Sequence, residues 1–509
     1  MPENTQNKLL VKGDLSGIQE FIFNTKSKGA AKTLKGKSFY VQILADLAIV
    51  YIKKKLDGYQ ITEIYNGGGN FFLLIPDTPP IKEQLANIEK NITRELKEKG
   101  LMLILTSVSY LEEKTFGENL QMLNKKALEK SLNRFCNIQD AHSLLFLPEK
   151  TIKDNEDFGK EIGEKIIKQT PTNQIITHFD EVFTLQKYPH WINSINLQVP
   201  KWRAELKTIF SAIDTDIETG EHNEVVSFEH LGLLAKSRTG TDNLGILKLD
   251  LDGLGTIIRD KVKTIEENKN LSELLSAFFN TKLKKLISEK TLPESTAAYR
   301  DNVSVIFAGG DDAFIIGAWD AMIHLTTLIQ DEFESFFNAH TLPFLGNNKF
   351  TFSAGLVFVS PTFPVSSFAI LAEEALAKAK KYPQKNALTI FNYTIEWEQW
   401  KCVIKETKEI SEAVKNKTIS RSIIARLKRI HLVYEEVRLK RFQITTLTRF
   451  IYELRAEKPN SRGKYFTDSL KDKYKEYLDE ALKKEGQPNA ILVLPIAARL
   501  AEFTTRNPK

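Results

Sequence analysis

Two stretches of this chain share one arrangement of apolar and polar positions. Residues 303–319, VSVIFAGGDDAFIIGAW, place β-branched and aromatic runs on either side of Ala308-Gly309-Gly310-Asp311-Asp312, which predicts a β-hairpin closed by a tight glycine turn. Residues 63–76, EIYNGGGNFFLLIP, repeat that arrangement, with Gly69 and Asn70 where the aspartates stand. Each hairpin is framed alike. An apolar strand precedes it, within 8–23 (KLLVKGDLSGIQEFIF) or 244–258 (LGILKLDLDGLGTII), and helical periodicity follows over 26–56 or 271–289. After each hairpin come a helix, 81–100 or 322–337, and a strand, 101–111 (LMLILTSVSYL) or 350–359 (FTFSAGLVFV). In the second frame a helix over 367–382 then leads into NALTIF. Both frames read β-α-β-β-α-β, the ferredoxin-like pattern, so the expected fold class is α+β.

The remaining chain is predominantly helical. Helices are predicted over 119–135, 157–169 and 201–210, and one continuous amphipathic helix over RSIIARLKRIHLVYEEVRLKRF near the C-terminus. The expected domains are 1–111, a mostly helical 112–243, 244–395, and a helical 396–509.

Chemistry enters with the carboxylates. Asp250 and Asp252 at alternate strand positions lie on one face, and aspartates inside an apolar strand run against strand propensity. Adjacent Asp311 and Asp312 at a turn concentrate charge that a cation or hydrogen bonds must offset. For the hairpin alone, a surface turn built from Gly and Asp as turn formers remains the alternative. Taken together, the two strands match the layout of palm-type nucleotidyl polymerases and cyclases, in which carboxylates from neighbouring strands hold two Mg²⁺ or Mn²⁺ ions. The first copy offers a neutral Asn70, which cannot supply the charge Mg²⁺ prefers, so it is expected to bind no catalytic metal while remaining able to bind a nucleotide.

Other polar groups each carry two readings. The turn Gly13-Asp14-Leu15-Ser16-Gly17 leads into a helix, with Asp14 and Ser16 as candidate caps and a candidate phosphate cradle above them. Lys32, Lys35 and Lys37 suit phosphate or RNA, or a solvated helix start. Lys378, Lys380, Lys381 and Lys385 suit either a helix C-terminus or a triphosphate. Arg421, Arg426, Arg429, Arg438 and Arg441 suit RNA, a partner subunit or a solvated face. His178, His190, His222 and His230 stand at no ligand spacing and read as satisfied or exposed.

Composition narrows the class. The chain has 509 residues, 42% of them hydrophobic and 27% charged, with a net charge of +6, which fits a globular protein of several cores and is compatible with nucleotide or nucleic-acid partners. Only Cys136 and Cys402 occur, so neither a disulfide framework nor a cysteine zinc site is expected. Without an apolar signal core or a run of about 18 uncharged apolar residues, a cytoplasmic location with no membrane contact is expected.

The strings GDLSGIQEFIF, AAKTLKGKSFYVQIL, NGGGNFFLLIP, LKLDLDGLG, FAGGDD and AKKYPQKNALTIF together resemble the large polymerase-like subunit of type III CRISPR effector complexes, the Cas-ten family. SKGAAKTLKGKSF is closest to its Csm (III-A) branch. The resemblance implies two palm (GGDEF/cyclase-like) domains that pair internally and, once target RNA binds, convert ATP into cyclic oligoadenylate second messengers for antiviral defence. Partners implied are the other effector subunits, guide CRISPR RNA and target RNA. Asp250, Asp311 and Asp312 are the implied catalytic metal ligands, with Asp252 a further one. Gly13, Ser16, Gly17, Gly68 and Gly69 of the first unit, and Gly309, Gly310, Ser353, Lys380, Lys385 and Asn386 of the second, are the implied ATP contacts. Family members commonly carry an N-terminal HD nuclease domain. Here the first palm begins within about ten residues of Met1 and no His-Asp dipeptide occurs, which argues against DNA cleavage by this chain. Alternatives are a scaffold holding the guide-RNA complex, a cyclase joining adenylate to another acceptor, and a diguanylate-cyclase-like enzyme, which would pair two identical catalytic domains.

Overall fold

The computed structural model describes residues 7–26, 29–133, 149–168, 174–184, 186–187, 199–214, 216–346, 348–439, 445, 462–483 and 488–506. Strands β1 (Lys8–Ser16), β2 (Thr62–Gly67), β3 (Asn70–Pro76) and β4 (Met102–Tyr110) form an antiparallel sheet in the order β2-β3-β1-β4. Its helices follow from local sequence. Helix Ala30–Lys55 starts after Gly29 at φ 74° and ends on Lys53, Lys54 and Lys55, where cations suit the helix dipole. Helix Pro79–Leu96 opens on prolines and buries Ile81, Leu85, Ile88, Ile92 and Leu96, a stripe at helical spacing.

A short hairpin, β5 (Gln174–His178) with β6 (Glu181–Thr184), precedes the second sheet. That sheet holds β7 (Leu244–Leu251), β8 (Val303–Gly309), β9 (Asp312–Ala318), β10 (Phe352–Val359), β11 (Ala387–Ile390) and β12 (Tyr393–Glu396), in the order β12-β11-β10-β7-β9-β8. Four of these strands, β8-β9-β7-β10, repeat the connectivity of the first sheet. NALTIF becomes β11, parallel to β10, and β12 pairs with it, so this sheet has six strands rather than the four of a ferredoxin-like unit.

The sheet is apolar on both faces because both are covered. Along β7 and β9, Leu247, Leu249, Ala313 and Ile315 enter the core shared with the sheet's own helices, whereas Leu244, Ile246, Phe314 and Ile316 enter the core of the first unit. Phe23 packs its ring 4.8 Å from that of Phe314. Each large apolar side chain fully buried this way contributes about 1.5–3 kcal/mol, and side chains of the second unit complete the core of the first.

Several expectations need correction. Neither Asp14 nor Ser16 caps helix Ile18–Phe23: both lie in β1, and the cap is Gly17 at φ 89° with no side-chain hydrogen bond. Gly13 is not in the turn either. It sits within β1, and a Cβ there would lie 2.1 Å from Cζ of buried Phe71, so the ring fills the space above it. Lys32, Lys35 and Lys37 face no solvent-borne partner. Lys32 pairs with Glu164 at 2.8 Å, Lys37 donates to Asn24 O at 2.8 Å, and Lys35 donates to Val305 O of β8 at 3.0 Å. Lys378 is bound to Asn392 at 2.6 Å.

The helical segments are woven onto both units. Helix Phe116–Leu132 packs on β4, and its first amide hydrogens bond Lys263 O and Val262 O of the second unit at 2.8 and 3.1 Å. Helix Glu149–Lys168 lies along Ala30–Lys55. The continuous C-terminal helix expected from periodicity is broken into Ser422–Lys428 and His431–Arg438, and Arg421 reaches the Glu502 carbonyl at 3.3 Å. His178 meets the Tyr40 hydroxyl at 2.8 Å, His230 meets the Ser227 hydroxyl at 2.8 Å, and His222 is exposed. His190, Cys136, Arg441 and the Arg438 side chain lie outside the described residues.

Candidate functional site between the two hairpins

The backbone register sets the carboxylates. On β7, Asp250 lies opposite Asp312 of β9 on one side and Ser353 of β10 on the other. Gly309 faces Asp312 across a two-residue turn, Gly310-Asp311, with Gly310 at φ 64°. The Asp311 carbonyl accepts the Leu251 amide hydrogen at 2.9 Å, fixing the turn to the end of β7. In the first unit Asp14 lies opposite Asn70, Gly67 faces Asn70, and the Gly69 carbonyl accepts the Leu15 amide hydrogen at 3.0 Å. The two hairpins are therefore equivalent residue for residue, and the first retains one of the acidic positions, Asp14, whose kinship with Asp250 only the register discloses.

Charge is uneven across the second site. Burial, then the neighbouring Asp311, pushes the Asp312 carboxyl up to about 7. Burial and Asp250 raise Asp311 as well. Asp250 is raised by burial, an effect offset in part by Lys380, whose ammonium is bound to its carboxylate. Lys248, buried in β7 and bound to Glu373, further tempers Asp312. Its signal in the sequence was a lysine inside an apolar strand.

Asp252 departs from the alternate-face expectation. It falls just beyond β7 and is buried, and its carboxylate accepts hydrogen bonds from the Ser353 hydroxyl at 2.8 Å, the Thr351 hydroxyl at 3.0 Å and the Asn386 amide at 2.9 Å. Ser353 is consequently no free ligand contact: it is fully buried and holds Asp252 in place.

A cavity of about 410 Å³ separates the two hairpins, lined among others by Lys12, Tyr65 and Asn70 of the first unit and Gly310 and Asp311 of the second. Lys385 and Asn386 do not join it. They line a separate cavity of about 620 Å³ with Gln330, Thr351 and Trp397. Among the described residues no three carboxylate, imidazole or thiol groups converge into a ready metal cage. The donor chemistry of Asp250, Asp311 and Asp312 nevertheless fits a cation, because crowded, buried carboxylates with raised proton affinity carry negative charge that a divalent ion would offset. No helix of the described residues is long and apolar enough to cross a membrane.

This is the layout of a palm-type domain, and known families agree: residues 243–389 match Cas10/Cmr2, second palm domain, and residues 7–149 match Csm1 subunit domain B. The chain belongs to the Cas10/Csm1 family of type III CRISPR systems. It is 28% identical over 495 residues to a Methanocaldococcus jannaschii protein named CRISPR system single-strand-specific deoxyribonuclease Cas10/Csm1 (subtype III-A), covering 76% of this chain and 59% of that one. It thus spans little more than half the length of the curated relatives it matches. The apo Csm1-Csm4 cassette superimposes with a TM-score of 0.70 at 18% identity, covering 99% of this chain and 70% of that one. A Csm1-Csm4 cassette in complex with cA4 gives 0.68 at 17% identity, covering 98% and 70%.

Proposed function

We propose that this chain is the nucleotidyl-transferring subunit of a type III CRISPR effector complex, which joins ATP into cyclic oligoadenylate when target RNA is bound. One observation carries the reading: Asp250 and Asp312 face each other on adjacent strands, with Asp311 at the turn, beside a cavity bounded by both units. A solved relative is described with cA4, and the same cassettes contain Csm4, which supports cyclic oligoadenylate as product and other effector subunits as partners. Guide and target RNA would reach the chain through that assembly, in the cytoplasm.

Asp250, Asp311 and Asp312 would hold Mg²⁺ or Mn²⁺, with Asp252 placed to orient the β7 end rather than to ligate, its carboxylate already engaged by three donors. When bound, such ions neutralise phosphate charge and lower the barrier to attack by a ribose 3′-hydroxyl on an α-phosphate. Lys380 would exchange Asp250 for triphosphate oxygen as the site fills. Gly68, open on its Cα, and Gly309 with Gly310 let a nucleotide approach the backbone closely. The first unit, a palm without its carboxylate pair, would position the acceptor. DNA cleavage is assigned to none of these residues.

The test is to incubate the assembled complex with target RNA, ATP and Mg²⁺ and to identify the product by mass spectrometry. Cyclic oligoadenylate is expected from wild type and none from Asp311→Ala/Asp312→Ala. A wild-type complex that makes no adenylate product defeats the reading and leaves a scaffold. A linear oligoadenylate would show transfer without ring closure, and adenylate joined to another group would assign a different acceptor.

A further inference from the structure

Both hairpins contain the same irregularity. In β2 the pairing passes from Glu63 opposite Leu73 to Tyr65 opposite Phe72, leaving Ile64 over. In β8 it passes from Val305 opposite Ile315 to Phe307 opposite Phe314, leaving Ile306 over. The second bulge decides the length of the acidic turn. A regular ladder continued from Val305 would set Ile306 opposite Phe314 and Ala308 opposite Asp312, leaving the three residues Gly309-Gly310-Asp311 to close the hairpin. With Ile306 left over, Gly309 faces Asp312 and the turn shortens to Gly310-Asp311.

One side chain of the first unit distinguishes these two registers. Lys35, buried on helix Ala30–Lys55, donates from Nζ to the Val305 carbonyl at 3.0 Å and to the Ile306 carbonyl at 3.4 Å. Successive carbonyls of a regular strand point to opposite edges, so one ammonium reaches two in a row only where a bulge has rotated one of them. The helix is held firmly at that turn. The next residue, Gly36, lies against the backbone of helix Glu149–Lys168, where an added Cβ would fall 1.9 Å from the Gly159 carbonyl oxygen. An ammonium is also an expensive way to fill this place. Burial, with Lys284 adding to it, lowers its proton affinity to about 7, and an apolar side chain of similar volume commonly replaces a buried charge at no loss of stability. The bonds of Lys35 therefore favour one register over the other rather than the folded chain over the unfolded.

We propose that Lys35 is a positioning residue for the acidic hairpin: from the unit lacking the carboxylate pair, it selects the bulged register of β8 and with it the two-residue turn that sets Asp311 beside Asp250 and Asp312. The proposal rests on the nucleotidyl-transfer reading in calling that hairpin catalytic. It makes the first unit a determinant of carboxylate geometry in the second.

Lys35→Met keeps most of the volume and removes the donors. In the assembled complex with target RNA, kcat and KM for ATP are measured at saturating Mg²⁺, Mn²⁺ affinity is titrated without nucleotide, and melting is followed at pH 7. Displaced carboxylates predict a roughly tenfold fall in kcat, KM within about twofold of wild type and Mn²⁺ binding about threefold or more weaker. The melting temperature stays equal or rises, because a buried charge is gone. Activity and stability thus move apart, which ordinary loss of packing does not produce. Lys32→Met, on the same helix but paired with Glu164, leaves kcat and Mn²⁺ affinity within about twofold. A Lys35→Met complex with kcat and Mn²⁺ affinity within about twofold of wild type overturns the proposal, as does a fall in kcat that comes with a lowered melting temperature. If wild type turns over no ATP while Lys35→Met still weakens Mn²⁺ binding, the nucleotidyl-transfer reading fails and the positioning role stands.

Discussion

In the turn of β8 and β9 only Gly310 is left-handed, at φ 64°, and Asp311 follows without a positive φ; in the turn of β2 and β3 Gly68 and Gly69 are both left-handed, at 61° and 82°. The strands around them keep one register and one bulge. What separates the hairpins is thus backbone conformation as well as charge. A side chain other than glycine is tolerated at the second turn position in one unit and strained in the other. The same inversion runs through the adjacent pair. Gly13 lies opposite Phe71 in the first sheet, and Leu249 lies opposite Ala313 in the second, so the large partner has changed strands.

The largest effect should come from making the second hairpin like the first. Asp312→Asn writes the first unit's residue into the second and should lower product formation by about a hundredfold or more, whereas Asn70→Ala should leave Mn²⁺ affinity within about twofold of wild type. A loss of Mn²⁺ affinity from Asn70→Ala as large as that from Asp312→Asn would break the asymmetry. Gly13→Leu places a side chain where the Phe71 ring lies and should cost about 3 kcal/mol in urea unfolding, while the double change Gly13→Leu/Phe71→Ala, which copies the second unit's pair, should recover most of it. Failure of the double variant to recover would show that the inversion is incidental.

A third effect concerns the tie between the units. Burial, with Lys284 adding to it, lowers the Lys35 ammonium to about 7. Because the folded pKa lies below the unfolded one, the unfolded chain binds more protons between pH 7 and 10.5, and stability rises with pH across that window; below pH 7 the full penalty of the buried charge is present. Relative to Lys35→Met, wild type should gain about 2 kcal/mol between pH 7 and 9, read from unfolding of both proteins at each pH. Parallel curves would remove Lys35 from the account. The smallest effect is at the first turn. Gly69→Asp meets both a φ of 82° and Ile18 Cδ1 at 2.6 Å from the added Cβ, and should cost about 1–2 kcal/mol without creating a metal site, as measured by melting and Mn²⁺ titration.

Both hairpins and their framing strands were legible because glycine and aspartate punctuate long apolar runs, a signal independent of tertiary context. Asp250, Asp311 and Asp312 were legible as a set because acidic residues in strands conflict with propensity. The lysines at the start of the long first helix were not. Lys35 and Lys37 sit at the basic start of a helix, and nothing in the sequence distinguishes an ammonium that points to solvent from one that reaches carbonyl oxygens. Ser353 and Asp252 were read as ligand contacts because their bond to each other joins strands far apart in the chain. The C-terminal break escaped because apolar spacing continues through the turn at Arg429 and Ile430.

The Gly13–Phe71 and Leu249–Ala313 pairs also bear on inheritance. Two similar halves within one gene invite recombination between them, which tends to make repeats alike. An exchange that moved β1 or β7 without its partner strand would set leucine against phenylalanine, or glycine against alanine, producing either a clash or a hole in the shared interior. The inverted pair thereby penalises the events that would erase the difference between the halves, and an unequal pair of units can persist over generations with no selection acting directly on its inequality.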